Sequence, residues 1–316
     1  MTQRFAALAL VAVLTASSAR ADDLSFTTNT PDDKDVITCS DVEMTYWKTS
    51  RGHDDIRTVR RDQTVSVRAP GSGPLRVAAS ENGGVWVQPS SDGSISAVIC
   101  EAAGAESERE ANAILDQLRI VNEGGELRVK GPSDHDWYTY IILSVPRGTS
   151  VDMSATNGPL ELRVVQGTFH LETTNGPIGV SRVSGTVVAR ATNGPIKFRG
   201  HEGDMDLRAE NGPVKVSLDA TAWSGKGLDA HTSNGPITVV VPEGLQTGVK
   251  VESSSNSPWS WKAQANMSHD EDWEDGRSVQ LGKGPVLVRV STVNGPVSIK
   301  SPGGEGSGKS KNKSRI

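Results

Sequence analysis

Several features that point to a familiar activity are scarce or absent in this 316-residue sequence. It has only two cysteines, and without a pair of histidines beside them they make no zinc site. No Gly-x-Ser-x-Gly motif and no Cys-His pairing are present. The formal net charge is -5, which gives no electrostatic reason to bind nucleic acid.

The N-terminus has the composition of a secretory signal peptide over residues 1–21: Arg4, an apolar run over 5–16, then Ala19-Arg20-Ala21. The apolar run is about 12 residues, short of the roughly 20 that cross a bilayer. We therefore expect an exported chain with no transmembrane segment after cleavage, located in the periplasm, on the cell surface or outside the cell. Residues 303–316 are rich in Gly, Ser and Lys and are predicted to form a disordered basic tail.

The two cysteines are Cys39 and Cys100, each beside an isoleucine typical of a strand. In an exported chain an intramolecular disulfide is the first interpretation. Two buried thiols are the alternative.

Asn-Gly-Pro is the most informative motif, because Asn157, Asn175, Asn193 and Asn211 are evenly spaced by 18 residues. Three and five residues after each Asn of the motif the chain is apolar, which is the alternation of a strand. These positions hold Leu160, Ile178, Ile196, Val214, Ile237 and Val297, then Leu162, Val180, Phe198, Val216, Val239 and Ile299. Six and four residues before each Asn from the second copy onward, a second alternating set holds Phe169, Val187, Met205, Leu228 and Val288, then Leu171, Ala189, Leu207, Ala230 and Val290.

A glycine eight residues before each of the next three motif copies, at Gly167, Gly185 and Gly203, indicates a second turn in the repeat. The sequence therefore predicts an all-β fold: a β-solenoid, similar to a single-stranded β-helix, of stacked 18-residue coils with two strands each. A sandwich or barrel is the alternative, because Asn-Gly is also a hairpin signal.

The motif itself is interpreted as a turn. Asn tolerates the left-handed region, Gly reaches positive φ, and Pro opens the next strand, where a missing N–H costs least. Stacked Asn side chains could also form a hydrogen-bonded ladder from coil to coil.

The spacing fails in two places. From Asn211 to Asn234 it is 23 residues, and the additional residues are predicted to place Trp223 out on a widened loop. From Asn234 to Asn294 it is 60 residues, which predicts an insertion at 249–282 within a regular solenoid over 141–302. Function on repeat scaffolds is often carried by such departures.

Four tryptophans and an acidic run are the candidate binding residues at these departures. The candidates are Trp223, Trp259, Trp261 and Trp273, with Asp270, Asp272 and Glu274 as weak metal-ligand candidates. The tryptophans could form a sugar-stacking platform and the acids a calcium site, although the acidic run lacks the spacing of a calcium-binding hand. Alternatively Trp259 and Trp261 cover the end of the solenoid and the acidic run is a solvated loop.

The N-terminal region, 22–140, is expected to contain less regular coils and one helix. Asn82 is followed by Val85 and Val87 at the motif spacing. A capping box from Ser107 to Glu110 and an apolar stripe predict a short helix near 107–118 that covers or flanks the solenoid.

The outward positions show no convergence of catalytic groups. One column contains Glu172, Arg190 and Arg208, and another contains Glu161, Gly179, Lys197 and Lys215. Both are interpreted as charge pairs between coils. The six histidines fall at different phases, and neither His53-Asp54-Asp55 nor His269-Asp270-Glu271-Asp272 has a second set of ligands. No metal and no cofactor are expected.

The recurring Thr-Asn-Gly-Pro-Ile, together with Val145-Pro146-Arg147-Gly148 and Val241-Pro242-Glu243-Gly244, resembles the bacterial putative-adhesin family, a domain of unknown function in exported or surface proteins. The resemblance is best over 141–300 and looser over 36–140. It implies a β-solenoid in an exported or surface protein, and it transfers no catalytic or binding residue. The extended repeated surface and the Trp-rich break in it lead to the hypothesis of an exported, non-enzymatic scaffold that binds a glycan or protein of the cell envelope. A polysaccharide-degrading enzyme that uses Asp270 or Asp272, and a periplasmic sensor or stress-regulatory partner, are the alternatives.

Overall fold

The computed structural model describes residues 12–14, 24–29, 34–48, 56–133, 136–254, 258–262 and 278–302. It contains a 3₁₀ turn at Cys39–Asp41 and a helix, α1, at Glu108–Leu115. The strands are β1 (Ala12–Leu14), β2 (Leu24–Asn29), β3 (Glu43–Lys48), β4 (Arg57–Ser66), β5 (Leu75–Ala78), β6 (Gly84–Pro89), β7 (Ser96–Ala105), β8 (Arg119–Glu123), β9 (Glu126–Lys130), β10 (Trp137–Val145), β11 (Thr149–Ala155), β12 (Leu160–Arg163), β13 (Gln166–Thr173), β14 (Ile178–Ser181), β15 (Ser184–Ala191), β16 (Ile196–Gly200), β17 (Glu202–Asn211), β18 (Val214–Leu218), β19 (Ser224–Asn234), β20 (Ile237–Val240), β21 (Gly248–Ser253), β22 (Trp259–Lys262), β23 (Ser278–Leu281), β24 (Val286–Asn294) and β25 (Val297–Lys300).

Two 11-stranded sheets form the body of the protein. Sheet 1 has the order β22-β25-β20-β18-β16-β14-β12-β6-β10-β7-β4, and sheet 2 has the order β23-β21-β24-β19-β17-β15-β13-β11-β5-β9-β8. Each coil contributes one strand to each sheet, and neighbouring coils pair in parallel. The predicted β-solenoid is therefore confirmed, and the sandwich alternative is wrong.

The alternating apolar residues form the core between the sheets. Phe169 pairs in register with Val187, and Ile178 with Ile196, so one coil lies on the next without an offset. The two apolar positions that follow each motif copy and the two that precede it are at most 2% exposed throughout. Two strands of a single coil have too little apolar surface to fold alone, so the stack is the stable unit.

The predicted Asn ladder is present along one edge of the stack. Each Nδ2 donates to the Oδ1 of the Asn in the preceding coil at 2.9–3.2 Å. The ladder runs through Asn82, Asn157, Asn175, Asn193, Asn211, Asn234 and Asn294. The prolines also contribute between coils, since the carbonyl of Pro177 accepts from the amide of Leu160 at 3.0 Å.

The sequence interpretation of Asn-Gly as a left-handed turn is wrong. None of the six motif glycines has a φ in the left-handed region, and neither does any Asn of the ladder. Glycine is required there because the coils approach closely: a Cβ on Gly194 would lie 2.0 Å from the carbonyl oxygen of Gly176. Positive φ occurs instead at the second turn, at Gly185 and Gly203.

The interval 249–282 contributes to the stack at its end. β24 and β25 pair directly with β19 and β20, so Asn294 lies next to Asn234 although 60 residues separate them. β21 and β22 form the next coil outward, and β23 pairs antiparallel with β21. The spatial order of the last two coils is thus reversed relative to the chain.

Within the described residues of the region 22–140, one regular coil is present, β5 with β6, and it stacks on β11 and β12. Beyond this coil the pairing is antiparallel at the end of both sheets, between β10, β7 and β4 in sheet 1 and between β9 and β8 in sheet 2. The predicted domain boundary at 140/141 lies inside β10. The predicted helix is confirmed as α1: Ser107 Oγ accepts from the amide of Glu110 at 3.3 Å, and α1 packs on β4 and β7. Its apolar stripe, Ala111, Ile114, Leu115 and Leu118, is buried.

An N-terminal arm, residues 34–44, covers the outer face of sheet 1 at β6, β7 and β10. Its Ile37, Val42 and Met44 pack with Trp86 and Tyr140 into a second apolar cluster outside the main core. A disulfide joins Cys39 to Cys100 with a Cα–Cα distance of 5.4 Å, which is the first of the two alternatives left by the sequence. The expected signal peptide overlaps the described strand β1, which pairs with β2.

Candidate functional site

The outward residues of both sheets form continuous rows, because the coils stack in register. Among the described residues, a concave area interrupts these rows on each sheet. We name them the mixed-charge groove, on sheet 2, and the basic groove, on sheet 1, and each is defined by the residues given below.

The mixed-charge groove has a volume of about 460 Å³ and crosses β9, β5, β11, β13 and β15. Its polar side chains are Arg76, Glu126, Asp152, Ser154, His170, Glu172 and Arg190. His170 Nδ1 lies 3.0 Å from Asp152 Oδ1, and both side chains are well exposed. Cations and anions are both present, so the groove has no dominant sign.

Ion pairs continue this row toward the later coils. Arg190 contacts Asp206 at 2.6 Å, and Arg208 contacts Asp206 at 2.9 Å and Asp229 at 2.8 Å. The hydrogen bond that Arg208 donates to Asp229 raises the pKa of Arg208 above its usual value. Burial, and then the charge of Arg208, lowers the pKa of His231. The predicted pairing of charges between coils is thus present here, with aspartates of the adjacent outward row as partners of Arg190 and Arg208.

The basic groove has a volume of about 300 Å³ and crosses β12, β14, β16 and β18. Its polar side chains are Glu161, Arg163, Ser181, Lys197, Arg199, Lys215 and Ser217. Among the described residues, four cationic side chains and one carboxylate line this groove. Lys197 and Lys215 are directly opposed on neighbouring strands, whereas Arg163 and Arg199 are separated by Ser181 in the adjacent row.

The floor of the basic groove is built from two buried charges. Glu161 and Arg163 are each 8% exposed and form an ion pair of 3.0 Å. The guanidinium of Arg163 lies 5.0 Å from the centre of the Trp86 ring, a cation–π contact. Glu161 extends across Gly179, where an added Cβ would be 2.0 Å from its Oε2. Glycine at this position therefore makes room for the carboxylate.

The sequence interpretation missed half of this groove. It identified the column from Glu161 to Lys215, which lies four residues after the Asn of each coil, but not the column two residues further on. That second column consists of Arg163, Ser181, Arg199 and Ser217, each six residues after the Asn of its coil. Reading that position in the same register would have shown its basic character.

Trp223 does not lie out on the surface, so the predicted exposed loop position is wrong. It is 8% exposed, its ring centre is 5.7 Å from that of Phe198, and its Nε1 donates to the carbonyl of Gly203 at 3.2 Å. The loop is widened as expected, but the additional residues let the indole fold back over the core. A residue packed in this way offers no surface for stacking a sugar.

Trp259 begins β22 at a position in register with the core residue Val297, and it packs half-buried against the core. Trp261 pairs in register with Ile299. The preceding letters, Asn256-Ser257-Pro258, are a degenerate copy of the motif that the sequence interpretation overlooked. These contacts agree with the alternative that Trp259 covers the end of the solenoid.

The remaining candidates lie outside the described residues. They are Trp273, Asp270, Asp272 and Glu274, together with His53, His135 and His269. The C-terminal tail also lies outside the described residues. Its residues 303–310 match the sequence pattern Gly-x-x-x-x-Gly-Lys-Ser of a phosphate-binding loop, within a segment that is rich in Gly, Ser and Lys throughout. Within the part of the chain that is described, no group of three or more His, Cys, Asp or Glu side chains could hold a metal ion.

The fold is that of a two-sheet β-solenoid with charged outer faces. The chain matches the family described as Toastrack DUF4097 over residues 32–300, and it belongs to that family. No curated protein shows significant sequence similarity to it. Among the described residues, no helix is long and apolar enough to cross a membrane.

The solved structures to which the chain is similar include the following three. A putative cell adhesion protein from Clostridium sporogenes is 12% identical, with 78% of this chain and 100% of that chain covered and a TM-score of 0.31. A putative adhesin from Parabacteroides distasonis is 9% identical, with 76% and 97% covered and a TM-score of 0.34. A putative lipid binding protein from the same species is 10% identical, with 77% and 96% covered and a TM-score of 0.27.

Proposed function

We propose that this protein is an exported, non-enzymatic, adhesin-like scaffold that binds a glycan or protein of the cell envelope through an outer face of the solenoid. The observation that carries the proposal is the stacking in register, which gives each sheet a long outer face with regularly spaced polar and charged side chains. Such a face offers an extended partner many equivalent contacts at once.

Two observations support export. The first 21 residues have the composition of a signal peptide, and the disulfide between Cys39 and Cys100 is of a kind that persists in oxidising compartments. The pairing of charges supports the non-enzymatic part of the proposal, since Arg190, Arg208 and their aspartate partners neutralise one another. Catalytic carboxylates are instead arranged around a reacting bond.

The proposal is tested by capture of envelope material. The chain from residue 22 onward, carrying an affinity tag, is mixed with fractionated cell envelopes, and the bound glycans and proteins are compared with those bound by an unrelated β-solenoid. We expect specific enrichment of one component. Equal recovery by both proteins would contradict the proposal.

A variant in which a Gly-Ser linker replaces residues 263–277 tests the contribution of the acidic segment and Trp273 while leaving β22 and β23 in place. Loss of capture in this variant would assign the contact to that segment. Retained capture would assign it to the faces of the sheets.

A polysaccharide-degrading enzyme is a second candidate, favoured by one feature of the mixed-charge groove. Asp152 and His170 lie 3.0 Å apart there, beside Glu172. An enzyme would release reducing ends or unsaturated products from a panel of polysaccharides, and both Asp152→Asn and His170→Gln would abolish that release. Activity that survives both changes would point away from this groove.

A further inference from the structure

We propose that the disulfide between Cys39 and Cys100 is a redox latch: a dithiol reductant opens it, the N-terminal arm leaves sheet 1, and an apolar area of the outer face is uncovered. The latch goes beyond the proposed function and does not depend on which envelope component the scaffold binds. Three features carry it: the side chains beneath the arm, the contacts that hold the arm, and the unequal burial of the two cysteines.

The outer face of sheet 1 is apolar beneath the arm and polar beyond it. Val98 of β7, Ile142 of β10 and Trp86 of β6 lie side by side in one outward row. The same row continues as Glu161 on β12 and, two coils further, as Lys197 on β16. A sheet face that meets water usually carries polar side chains. The apolar part of the row therefore requires a cover, and the arm supplies it.

The covered area is separate from the core between the sheets. Tyr140 lies opposite Cys100 in the next outward row, Tyr138 lies opposite Ala102 in the row after, and all four are at most 1% exposed. They pack with the apolar side chains of the arm in the second cluster, outside the main core. Departure of the arm thus leaves the packing between the sheets in place. Such a segment can open locally while the rest of the protein stays folded.

Polar contacts of modest strength join the arm to the body. Asp35 forms an ion pair with Arg182, and both side chains are exposed. Exposed ion pairs contribute little to stability, because water screens them. The amide of Ile37 donates to Gln88 Oε1 at 2.9 Å in a buried position. Water can replace this hydrogen bond once the arm has left.

Burial of three apolar side chains is what the arm gains against its loss of conformational freedom. They are Ile37, Val42 and Met44, and the carbonyl of Met44 also accepts from Arg60. Ordering residues 34–44 costs a free energy of the same order as this burial returns. The disulfide joins positions 61 apart in sequence, so it restricts the free arm and favours the docked one. Reduction shifts the balance toward release.

The two sulfurs differ in their access to a reductant. Cys39 is partly exposed, whereas Cys100 is fully buried. A thiolate of the reductant attacks Sγ of Cys39, the S–S bond breaks, and Cys100 leaves as a thiolate that takes up a proton. The second thiol of the reductant then displaces Cys39 from the mixed disulfide. Both cysteines end as thiols, and the reductant, which has supplied two electrons, ends as a disulfide.

The experiment follows alkylation of the cysteines in the folded protein. The chain from residue 22 onward is reduced with dithiothreitol, freed of the reagent and pulsed with N-ethylmaleimide, and mass spectrometry measures how fast each cysteine is modified. Hydrogen exchange of the same samples measures the protection of residues 34–44 and of β13, β15 and β17. Cys39→Ala is the matched variant: it has no latch, so its Cys100 reports release of the arm without any reductant.

We expect residues 34–44 to exchange at least about tenfold faster after reduction, while β13, β15 and β17 keep their protection. Cys100 should be modified in the reduced, folded chain and in Cys39→Ala, and dithiothreitol should change nothing further in that variant. Reoxidation of the unmodified chain should restore the protection of the arm. Glutathione, a monothiol, should be trapped as a mixed disulfide on Cys39 and not on Cys100.

Protection of Cys100 that survives both reduction and the Cys39→Ala change would overturn the latch, since noncovalent contacts alone would then hold the arm. Loss of protection in β13, β15 and β17 together with the arm would make the disulfide a support of the whole fold. A disulfide that dithiothreitol reduces only after the chain is unfolded would equally contradict the proposal.

Discussion

At the scale of single residues, the short distance between coils explains why the second position of the Asn-Gly-Pro motif is glycine. The Cβ that alanine would add at Gly158, Gly176, Gly194, Gly212, Gly235 or Gly295 lies 1.8–2.2 Å from the carbonyl oxygen of the coil before it. Backbone atoms cannot yield as a flexible side chain can. A single methyl group there must push two coils apart and weaken the ladder and the strand pairing beside it.

Gly194→Ala is therefore expected to lower the free energy of unfolding by about 1–3 kcal/mol, the usual effect of overpacking. Urea unfolding measures the change. Gly71→Ala is the control, because no atom lies within 4 Å of the added Cβ and its φ lies outside the left-handed region. Equal losses in both variants would show that spacing between coils is not what requires glycine.

The Asn ladder predicts that substitution of its first residue, Asn82, lowers the stability less than substitution of an inner residue. Asn193→Asp removes the Nδ2 that donates to Asn175 at 3.0 Å and sets a carboxylate against that oxygen, so we expect a loss of about 1 kcal/mol. Asn82→Asp keeps the oxygen that accepts from Asn157 at 3.2 Å, and it should cost much less. Chemical unfolding of the two variants at neutral pH measures the difference; equal costs would argue against the ladder.

His231 predicts a dependence of stability on pH. Burial and Arg208 lower its pKa in the folded protein, so on acidification the unfolded chain takes up a proton first. Its contribution to stability is present above the usual histidine pKa of about 6.5 and is lost as the pH falls below it. We expect His231→Gln to make the fall in Tm between neutral and mildly acidic pH less steep than in the unmodified chain. An identical slope would contradict this assignment.

At the scale of elements, alternation predicts which residues of a strand face the core, but it carries no information about which coil stacks on which. For that reason the positions from Leu160 to Ile299 could be predicted, whereas the placement of β24 between β19 and β21 could not. The site shows the same limit. Lys197 and Lys215 were visible as an outward column, but the buried floor beside them depends on Trp86, which is distant in sequence.

The widened loop before β19 contributes to the core, because the side chain of Trp223 on this loop packs over it. Trp223→Ala removes the indole that contacts Phe198 and should lower the free energy of unfolding by about 3–5 kcal/mol, the range for large aromatic residues in cores. Trp223→Phe should lose less. Ligand binding by the folded fraction should be unchanged in both, and selective loss of binding without loss of stability would restore Trp223 as a contact residue.

At the scale of the whole molecule, the solenoid is built of coils that stack in the same register, so we expect one of them to be removable. Deletion of residues 176–193 joins Asn175 to Gly194-Pro195, which restores the motif and brings Phe169 into register with Met205. We expect the shortened chain to fold with reduced stability, since each coil contacts mainly its neighbours. Far-ultraviolet circular dichroism and cooperative thermal unfolding measure this.

Deletion of residues 185–193 is the matched control, because it removes most of β15 and leaves β14 without its partner strand in the coil. This shorter deletion should prevent cooperative folding. If it were tolerated as well as the deletion of a full coil, the 18-residue coil would not be the unit of the structure.

Every side-chain amide in the Asn ladder points its N–H toward the coil of Asn82 and its oxygen toward the coil of Asn294. Amide dipoles aligned in one direction add together, as those of peptide groups do along a helix. This edge of the protein is therefore polarised along its length, positive toward Asn82 and negative toward Asn294, without any formal charge in the ladder itself. The ladder thus gives the solenoid a net dipole along the direction in which the coils stack.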